Sequence, residues 1–94
     1  MHFGYKIFYM NWEKLKVFKK VAKAGSFLTA SKQENKSQST FSRAVMDLEK
    51  EINEKLFNRT SKGVMPTLHG STLLNLVDDF SNKLNQFKNN IRKN

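Results

Sequence analysis

An apolar heptad pattern near the C-terminus constrains the fold of this chain more than any other sequence feature. Six apolar residues recur there at alternating steps of four and three: Leu73, Val77, Phe80, Leu84, Phe87 and Ile91. The pattern predicts one long helix with a continuous seam, which Thr67 can cap and which extends to about Arg92. A lone helix of this length cannot hide its seam within a small domain, so we predict that two copies associate through these six residues.

Two questions about this helix stay open at this point. The seam could instead pack back onto a three-helix core of its own chain. If two copies do pair, the pattern is compatible with parallel and with antiparallel helices.

The composition is that of a small basic domain. Its 94 residues suffice for one domain, whose core is thin at this size. Seventeen Lys and Arg against eight Asp and Glu give a net charge of +9, which favours phosphate backbones or anionic membrane surfaces as partners.

Several classes of protein are disfavoured by what the sequence lacks. It has no cysteine, which excludes disulfides and thiolate metal sites, and His2 and His69 lack a second ligand at metal spacing. No apolar run approaches the roughly 20 residues of a membrane span, and the N-terminus does not look like a signal peptide. We therefore expect a cytoplasmic protein without metal, cofactor or membrane partner.

Two helices are predicted in the first third of the chain. Apolar residues at helical spacing begin at Trp12, and this first helix ends at Ala24 and Gly25, since glycine tolerates the left-handed conformation of a helix stop. Ser26 can then cap a short second helix over about Phe27–Glu34.

A third, amphipathic helix follows a turn at Asn35 and Lys36. Ser37 can cap it, and its apolar stripe consists of four residues: Phe41, Val45, Leu48 and Ile52. Two helices joined by a turn of about three residues, the second with a polar leading edge, predict a helix-turn-helix over Ser26–Glu49.

A small β-hairpin is predicted next. The apolar pairs Leu56-Phe57 and Val64-Met65 flank a basic, glycine-containing tip, and Pro66 closes the segment. The predicted fold is mainly α: a winged helix-turn-helix of three helices plus this hairpin, the wing, followed by a long linker or dimerisation helix. Its parts are an N-terminal extension over 1–9, a winged unit over 10–66 and the linker helix over 67–94.

Three stretches of this sequence resemble the N-terminal DNA-binding domain of LysR-type transcriptional regulators of bacteria. MNWEKLKVFKKVAKAGSF looks like the first helix and Gly-Ser-Phe turn of that family. SQSTFSRAVMDLEKEINEKLFNR looks like its recognition helix, Leu-Glu pair and Leu-Phe-x-Arg stretch, and PTLHG stands at the start of its linker helix. The resemblance implies a sequence-specific regulator that binds double-stranded DNA as a homodimer with antiparallel linker helices.

The sequence departs from the family pattern at three places. Glu34 and Lys36 stand where the family has apolar residues, which should loosen the packing of the second helix on the third. Ser39 replaces a frequent proline. Family members also continue into an effector-binding domain, whereas this sequence stops at Asn94, so no small-molecule effector is expected and the chain is either an isolated domain or a shortened regulator.

The predicted DNA-binding residues lie on the helix-turn-helix and the wing. A helix N-terminus in the major groove brings side chains to base edges and backbone N–H groups to phosphates. Gln38 can bind an adenine edge, Thr40 a thymine methyl, and Arg43 a guanine or a phosphate. The other candidates are small hydroxyls or cations suited to close approach, to phosphates or to a minor groove: Ser37, Ser39, Ser42, Arg59, Lys62, Thr29 and Lys32.

Two other classes of function compete with this interpretation. The chain could be a dimerisation module that forms heterodimers with a full-length relative and binds DNA poorly alone, as Glu34 and Lys36 would favour. An enzyme is not expected, because Glu49, Glu51 and Glu54 fall on solvated helix faces with no histidine beside them.

Overall fold

The computed structural model describes residues 10–93, and the predicted extension over residues 1–9 lies outside this range. Four helices and two strands follow one another along the chain: α1 (Trp12–Ala24), α2 (Phe27–Gln33), α3 (Gln38–Ile52), β1 (Phe57–Thr60), β2 (Gly63–Pro66) and α4 (Leu68–Lys93). This order confirms the predicted winged helix-turn-helix with a long C-terminal helix.

The helix ends follow the local chemistry of the sequence. Gly25 ends α1 in the left-handed conformation, with φ of 83°, and Ser26 caps α2 by accepting a hydrogen bond from the Thr29 backbone N–H at 3.0 Å. In the same way Ser37 caps α3 through the Thr40 N–H at 3.1 Å. Helix α2 ends one residue earlier than predicted, because Glu34 is its C-terminal cap.

The first three helices and the wing share one core. Its fully buried members include Phe18 and Val21 of α1, Leu48 of α3, and Leu56 just before β1. The Phe57 ring lies 5.1 Å from that of Phe18, centroid to centroid, so the first residue of the wing belongs to the helical core.

The wing is attached to the corner between α1 and α2. Strands β1 and β2 are antiparallel, with Thr60 opposite Gly63, and the Val64 backbone N–H donates to the Gly25 carbonyl at 2.9 Å. A Cβ at Gly63 would overlap that same carbonyl oxygen, and the φ of Gly63 is 146°. Only glycine therefore allows this close approach.

The start of α4 is attached to the segment that precedes the wing. The Thr67 hydroxyl donates to the Lys55 carbonyl at 2.6 Å and accepts from the Gly70 N–H at 3.0 Å, which confirms Thr67 as the cap of this helix. Gly70 is buried, and a Cβ there would overlap the Leu56 carbonyl oxygen.

The two polar departures in the helix-turn-helix do not lie in the core. Glu34 and Lys36 are both exposed, and the Glu34 carboxylate pairs with the Lys20 ammonium at 2.8 Å. The core side of α2 stays buried through Phe27, Ala30 and Ser31. We expected these two residues to loosen the packing of α2 on α3. That expectation was wrong, because neither side chain lies in the core.

Candidate DNA interface

The N-terminus of α3 presents a row of short polar side chains to solvent. Ser37, Gln38, Ser39 and Thr40 are all exposed. The Ser37 Oγ lies 2.6 Å from the Thr40 Oγ1 and 3.3 Å from the Ser39 Oγ. Its hydroxyl is thus engaged in capping, whereas the Gln38 amide has no hydrogen-bond partner within residues 10–93 and is available to a ligand.

One turn further along α3, the surface becomes basic. Arg43 is exposed, and Ser42 is half-buried. Helix α3 buries Phe41, Val45 and Leu48 against the core. Arg43 lies on the opposite, exposed face of the helix, together with Ser39 and Thr40 of the first turn.

Helix α2 contributes polar groups at both of its ends. Thr29 is exposed in the first turn, and its Oγ1 accepts a hydrogen bond from the Ser26 hydroxyl at 2.8 Å. The Thr29 hydroxyl can therefore donate its own proton outward. Lys32 is exposed in the last turn.

Arg59 of the wing is held by an aromatic ring. Its guanidinium carbon lies 5.5 Å from the centroid of the Phe27 ring, a cation–π distance. Arg59 and Ser42 line the same cleft of about 330 Å³ between the wing and α3, so these two predicted residues are brought together. Lys62 is exposed in the turn at the wing tip.

Glu49 has a structural role that was missed in the sequence. We expected solvated carboxylates at both Glu49 and Glu51. The Glu51 Oε2 is buried instead, and the Glu49 Oε2 accepts a hydrogen bond from the Leu56 backbone N–H at 2.8 Å. This bond ties α3 to the segment leading into the wing. The signal in the sequence is the buried Leu48 beside it, which places Glu49 at the edge of the core face.

Four of the eight carboxylates pair with the lysines of α1. All five of these lysines form ion pairs: Lys14 with Asp47, Lys16 with Glu13, Lys20 with Glu34, and Lys19 and Lys23 with Asp78. By contrast, the cations of α2, the turn after it, α3 and the wing have no such partner within residues 10–93: Lys32, Lys36, Arg43, Lys50, Arg59 and Lys62. Most of the cations in this range that pair with no carboxylate therefore lie on the helix-turn-helix and the wing, and the others are Lys55 and, near the end of α4, Lys88, Arg92 and Lys93.

Two of these carboxyl groups have altered acidity. Partial burial raises the pKa of Asp78, but hydrogen bonds from Lys23 and Lys19 and their charges lower it by more, so the pKa lies below its ordinary value of 3.8. The pKa of Glu13 is lowered by the hydrogen bond and charge of Lys16.

The predicted seam of α4 divides into two halves. Val77 is 3% exposed and Leu73 is partly buried against the core, so the inner half packs on its own chain. Phe80, Phe87 and Ile91 are more than half exposed, and so is Leu76, which the heptad pattern missed. Leu76, Phe80, Phe87 and Ile91 form an exposed stripe, with the partly buried Leu84 at its edge.

The His69 Nε2 lies 3.7 Å from the Glu54 Oε2, so the expectation that no histidine stands beside Glu49, Glu51 and Glu54 was wrong. Both side chains are exposed and form no larger cluster over residues 10–93. No group of three or more potential metal ligands occurs there. None of the helices in this range is long and apolar enough to cross a membrane.

The fold and its exposed basic face define a winged helix-turn-helix unit with a long terminal helix. The sequence model described as bacterial regulatory helix-turn-helix protein, lysR family, matches residues 12–71. The chain belongs to this family.

Individual relatives agree with the family match. The chain is 36% identical over 78 residues to the HTH-type transcriptional regulator YofA of Bacillus subtilis (strain 168), which covers 83% of this chain and 27% of YofA. It is similar to a CbnR DNA-binding domain in complex with DNA (TM-score 0.77, 25% identity, 88% of this chain and 95% of that one).

A third relative is full-length LysG of Corynebacterium glutamicum (TM-score 0.82, 25% identity, 90% of this chain). The chain covers 29% of LysG and thus spans little more than a quarter of these two longer relatives.

Proposed function

We propose that this chain is a sequence-specific DNA-binding transcriptional regulator that acts in the cytoplasm by binding double-stranded DNA rather than by catalysis. The observation that carries the proposal is the placement of cations with no ion-pair partner among residues 10–93 beside the exposed N-terminus of α3. The similarity to a CbnR domain solved with DNA supports it.

In this proposal α3 enters the major groove with its first turn leading. Gln38 reads an adenine edge, Arg43 reaches guanine or a phosphate, and Thr40 meets a thymine methyl. Ser39 is small enough to let the helix approach closely.

The remaining candidates set the register of the domain on the duplex. Four of them contact phosphates around the groove: Ser37, Ser42, Thr29 and Lys32. Arg59 and Lys62 place the wing at the backbone or minor groove, where a narrow A·T-rich groove attracts cations. The Phe27 ring under Arg59 supports this role, because it limits the conformations of the guanidinium.

Two copies would bind together as a homodimer. The exposed stripe of α4 is apolar, and pairing with a second copy would remove it from water. A two-fold dimer presents two recognition helices to half-sites about 34 Å apart.

The first experiment is a salt-titrated binding assay by fluorescence anisotropy. Duplexes are first selected by this chain from a random-sequence pool, and the affinity for the selected duplex is measured between 50 and 200 mM salt. With six to ten phosphates contacted, affinity should fall by about 10³–10⁵-fold. A binding constant that stays flat over this range would remove DNA as the partner.

Two substitutions test the recognition helix. Gln38→Ala and Arg43→Ala should each weaken binding to the selected duplex, and Gln38→Ala should relax the preference at one base pair by about 1–3 kcal/mol. Asn85→Ala, at an exposed and uncharged position of α4, is the control. Selected-site affinity that survives both substitutions would show that α3 is not the reading element.

The alternative of a dimerisation module without DNA binding is not favoured. Its support from Glu34 and Lys36 is removed, because both side chains lie outside the core. The same variants distinguish it. A dimerisation module should keep its function, which is pairing with a relative, in Gln38→Ala and Arg43→Ala and should lose it in Leu84→Asp.

A further inference from the structure

Helix α4 is held to the rest of the domain at two levels. Its first turn is bound to the Lys55 carbonyl through Thr67. Eight residues beyond Gly70, about 12 Å along the axis, Asp78 pairs with two lysines of α1. Its carboxylate oxygens lie 3.1 Å from the Lys19 and Lys23 ammonium groups, and we name this arrangement the Asp78 bridge.

The position of the Asp78 bridge along α4 is significant. The contact between the Trp12 and Phe80 rings, 5.1 Å apart in an edge-to-face arrangement, comes two residues later. From there to Lys93 the helix carries most of its exposed stripe. The bridge thus lies where α4 leaves the body of the domain.

Neighbouring Asp79 forms its ion pair within α4, whereas Asp78 pairs with another helix. Its carboxylate pairs at 3.3 Å with Lys83, one turn later on the same helix. That pair stabilises α4 locally but cannot orient α4 relative to α1. The two adjacent aspartates therefore carry the same charge, but only Asp78 connects α4 to α1.

We propose that Asp78 is a positioning residue that sets the angle between α4 and the helix-turn-helix, and thereby the spacing of the two half-sites that the dimer accepts. The inference rests on the proposed function. It assigns spacing specificity to a residue that lies on α4, outside the predicted DNA-binding surface.

The geometry of α4 amplifies a small change of angle. From Asp78 to Lys93 the helix extends for about 22 Å, so a tilt of about 5° at the bridge displaces its far end by about 2 Å. Two protomers double this to about 4 Å, which is on the order of the rise of one base pair, about 3.4 Å.

The bridge is suited to orientation more than to holding the fold. Partly exposed ion pairs contribute little to stability, and Val77 and the Trp12–Phe80 contact keep α4 attached without it. Apolar contacts, however, lack the directionality of two charge-assisted hydrogen bonds. Loss of the bridge should widen the range of angles while the domain stays folded.

The test compares Asp78→Asn with Asp79→Asn, which removes the same charge from the adjacent position. The duplex selected by the unaltered chain is lengthened or shortened by one and two base pairs between its half-sites. For each protein the readout is the ratio of affinities for the best and the altered spacing, so that a general loss of charge cancels.

The unaltered chain and Asp79→Asn should keep the same ratio, and Asp78→Asn should reduce it about threefold, with affinity for an isolated half-site unchanged. Equal ratios in all three proteins would overturn the inference while leaving the proposed function standing. If the unaltered chain selects no duplex at all, the proposed function itself fails.

A second measurement does not depend on DNA. The chain has no cysteine, so a single Lys50→Cys substitution on the exposed surface of α3 carries a spin label in each protomer. Pulsed electron paramagnetic resonance of the dimer should give a broader distance distribution for Asp78→Asn than for Asp79→Asn. Identical distributions would contradict the inference, and circular dichroism verifies that each variant is folded.

Discussion

Gly63 and Gly25 lie together where the wing crosses the corner between α1 and α2, and they resist substitution to different degrees. Gly63 lacks room for a Cβ because the Gly25 carbonyl occupies that space, whereas a Cβ on Gly25 would contact nothing within 4 Å. Both have positive φ, so each also carries a conformational cost for any other residue.

We expect Gly63→Ala to lower the free energy of unfolding by about 2–4 kcal/mol, since it adds a clash and disturbs the Val64 hydrogen bond. Gly25→Ala should cost only the left-handed strain, about 1–2 kcal/mol. Urea unfolding of the two variants checks the order. Equal losses would show that the close approach at Gly63 is not important for stability.

Individual side chains show what the sequence could not decide. Ser26, Ser37 and Thr67 cap helices as predicted, because capping depends on local chemistry. Glu49 could not be placed in the same way, since its partner, the Leu56 N–H, is seven positions away and comes close only after the chain turns.

At the scale of elements, α4 shows where a periodic pattern is informative and where it is not. The heptad pattern correctly predicted the helix, but it could not show which of its residues the core would use. Which residues of α4 are buried depends on the angle at which α4 crosses α1. In the structure the buried residues of α4 are Gly70 and Val77. The exposed stripe is consequently rotated from the predicted seam and includes Leu76.

Helix pairing through this stripe is tested by Phe87→Asp, since Phe87 is 60% exposed and its loss should not disturb the core. A buried charge at the centre of an apolar interface should weaken dimerisation about 30-fold or more. Asn85→Asp adds the same charge on the opposite side of α4. Sedimentation equilibrium should show monomers for the first variant and dimers for the second.

The contact between α1 and α4 should also respond to pH. Because the pKa of Asp78 lies below its ordinary value in the folded state, protonation favours the unfolded chain. The stabilisation is complete above about pH 5 and is lost as the pH falls through the lowered pKa. Asp78→Asn should therefore be less stable than the unaltered chain near neutral pH, and the difference should shrink toward about pH 3.

Thermal unfolding followed by circular dichroism over this pH range measures the difference. A stability gap that keeps the same size at low pH would show that the Asn side chain itself, and not the lost charge, is responsible.

On the scale of the whole molecule, the net charge of +9 is less informative than its distribution. Composition predicted a polyanionic partner, and the basic α1 contributed five lysines to that argument. The structure neutralises those lysines within the fold. The sequence could not show this, because Asp47 and Asp78 are distant from α1 along the chain.

This distribution predicts unequal contributions to DNA binding from cations of equal charge. Arg43→Gln should reduce the slope of log affinity against log salt by about 1, because it removes a cation that is proposed to lie close to a DNA phosphate. Lys16→Gln, which removes a lysine already paired with Glu13, should leave the slope nearly unchanged. Equal changes of slope would mean that α1 also lies against the duplex.

The attachment of the wing to Gly25 has a consequence for any attempt to isolate the hairpin. Two strands of four residues are marginally stable in water by themselves, and here their first aromatic residue is inserted into the helical core. A peptide covering residues 56–66 would therefore lose the hairpin conformation. The smallest unit that can imitate the wing must include the α1–α2 corner that supports it.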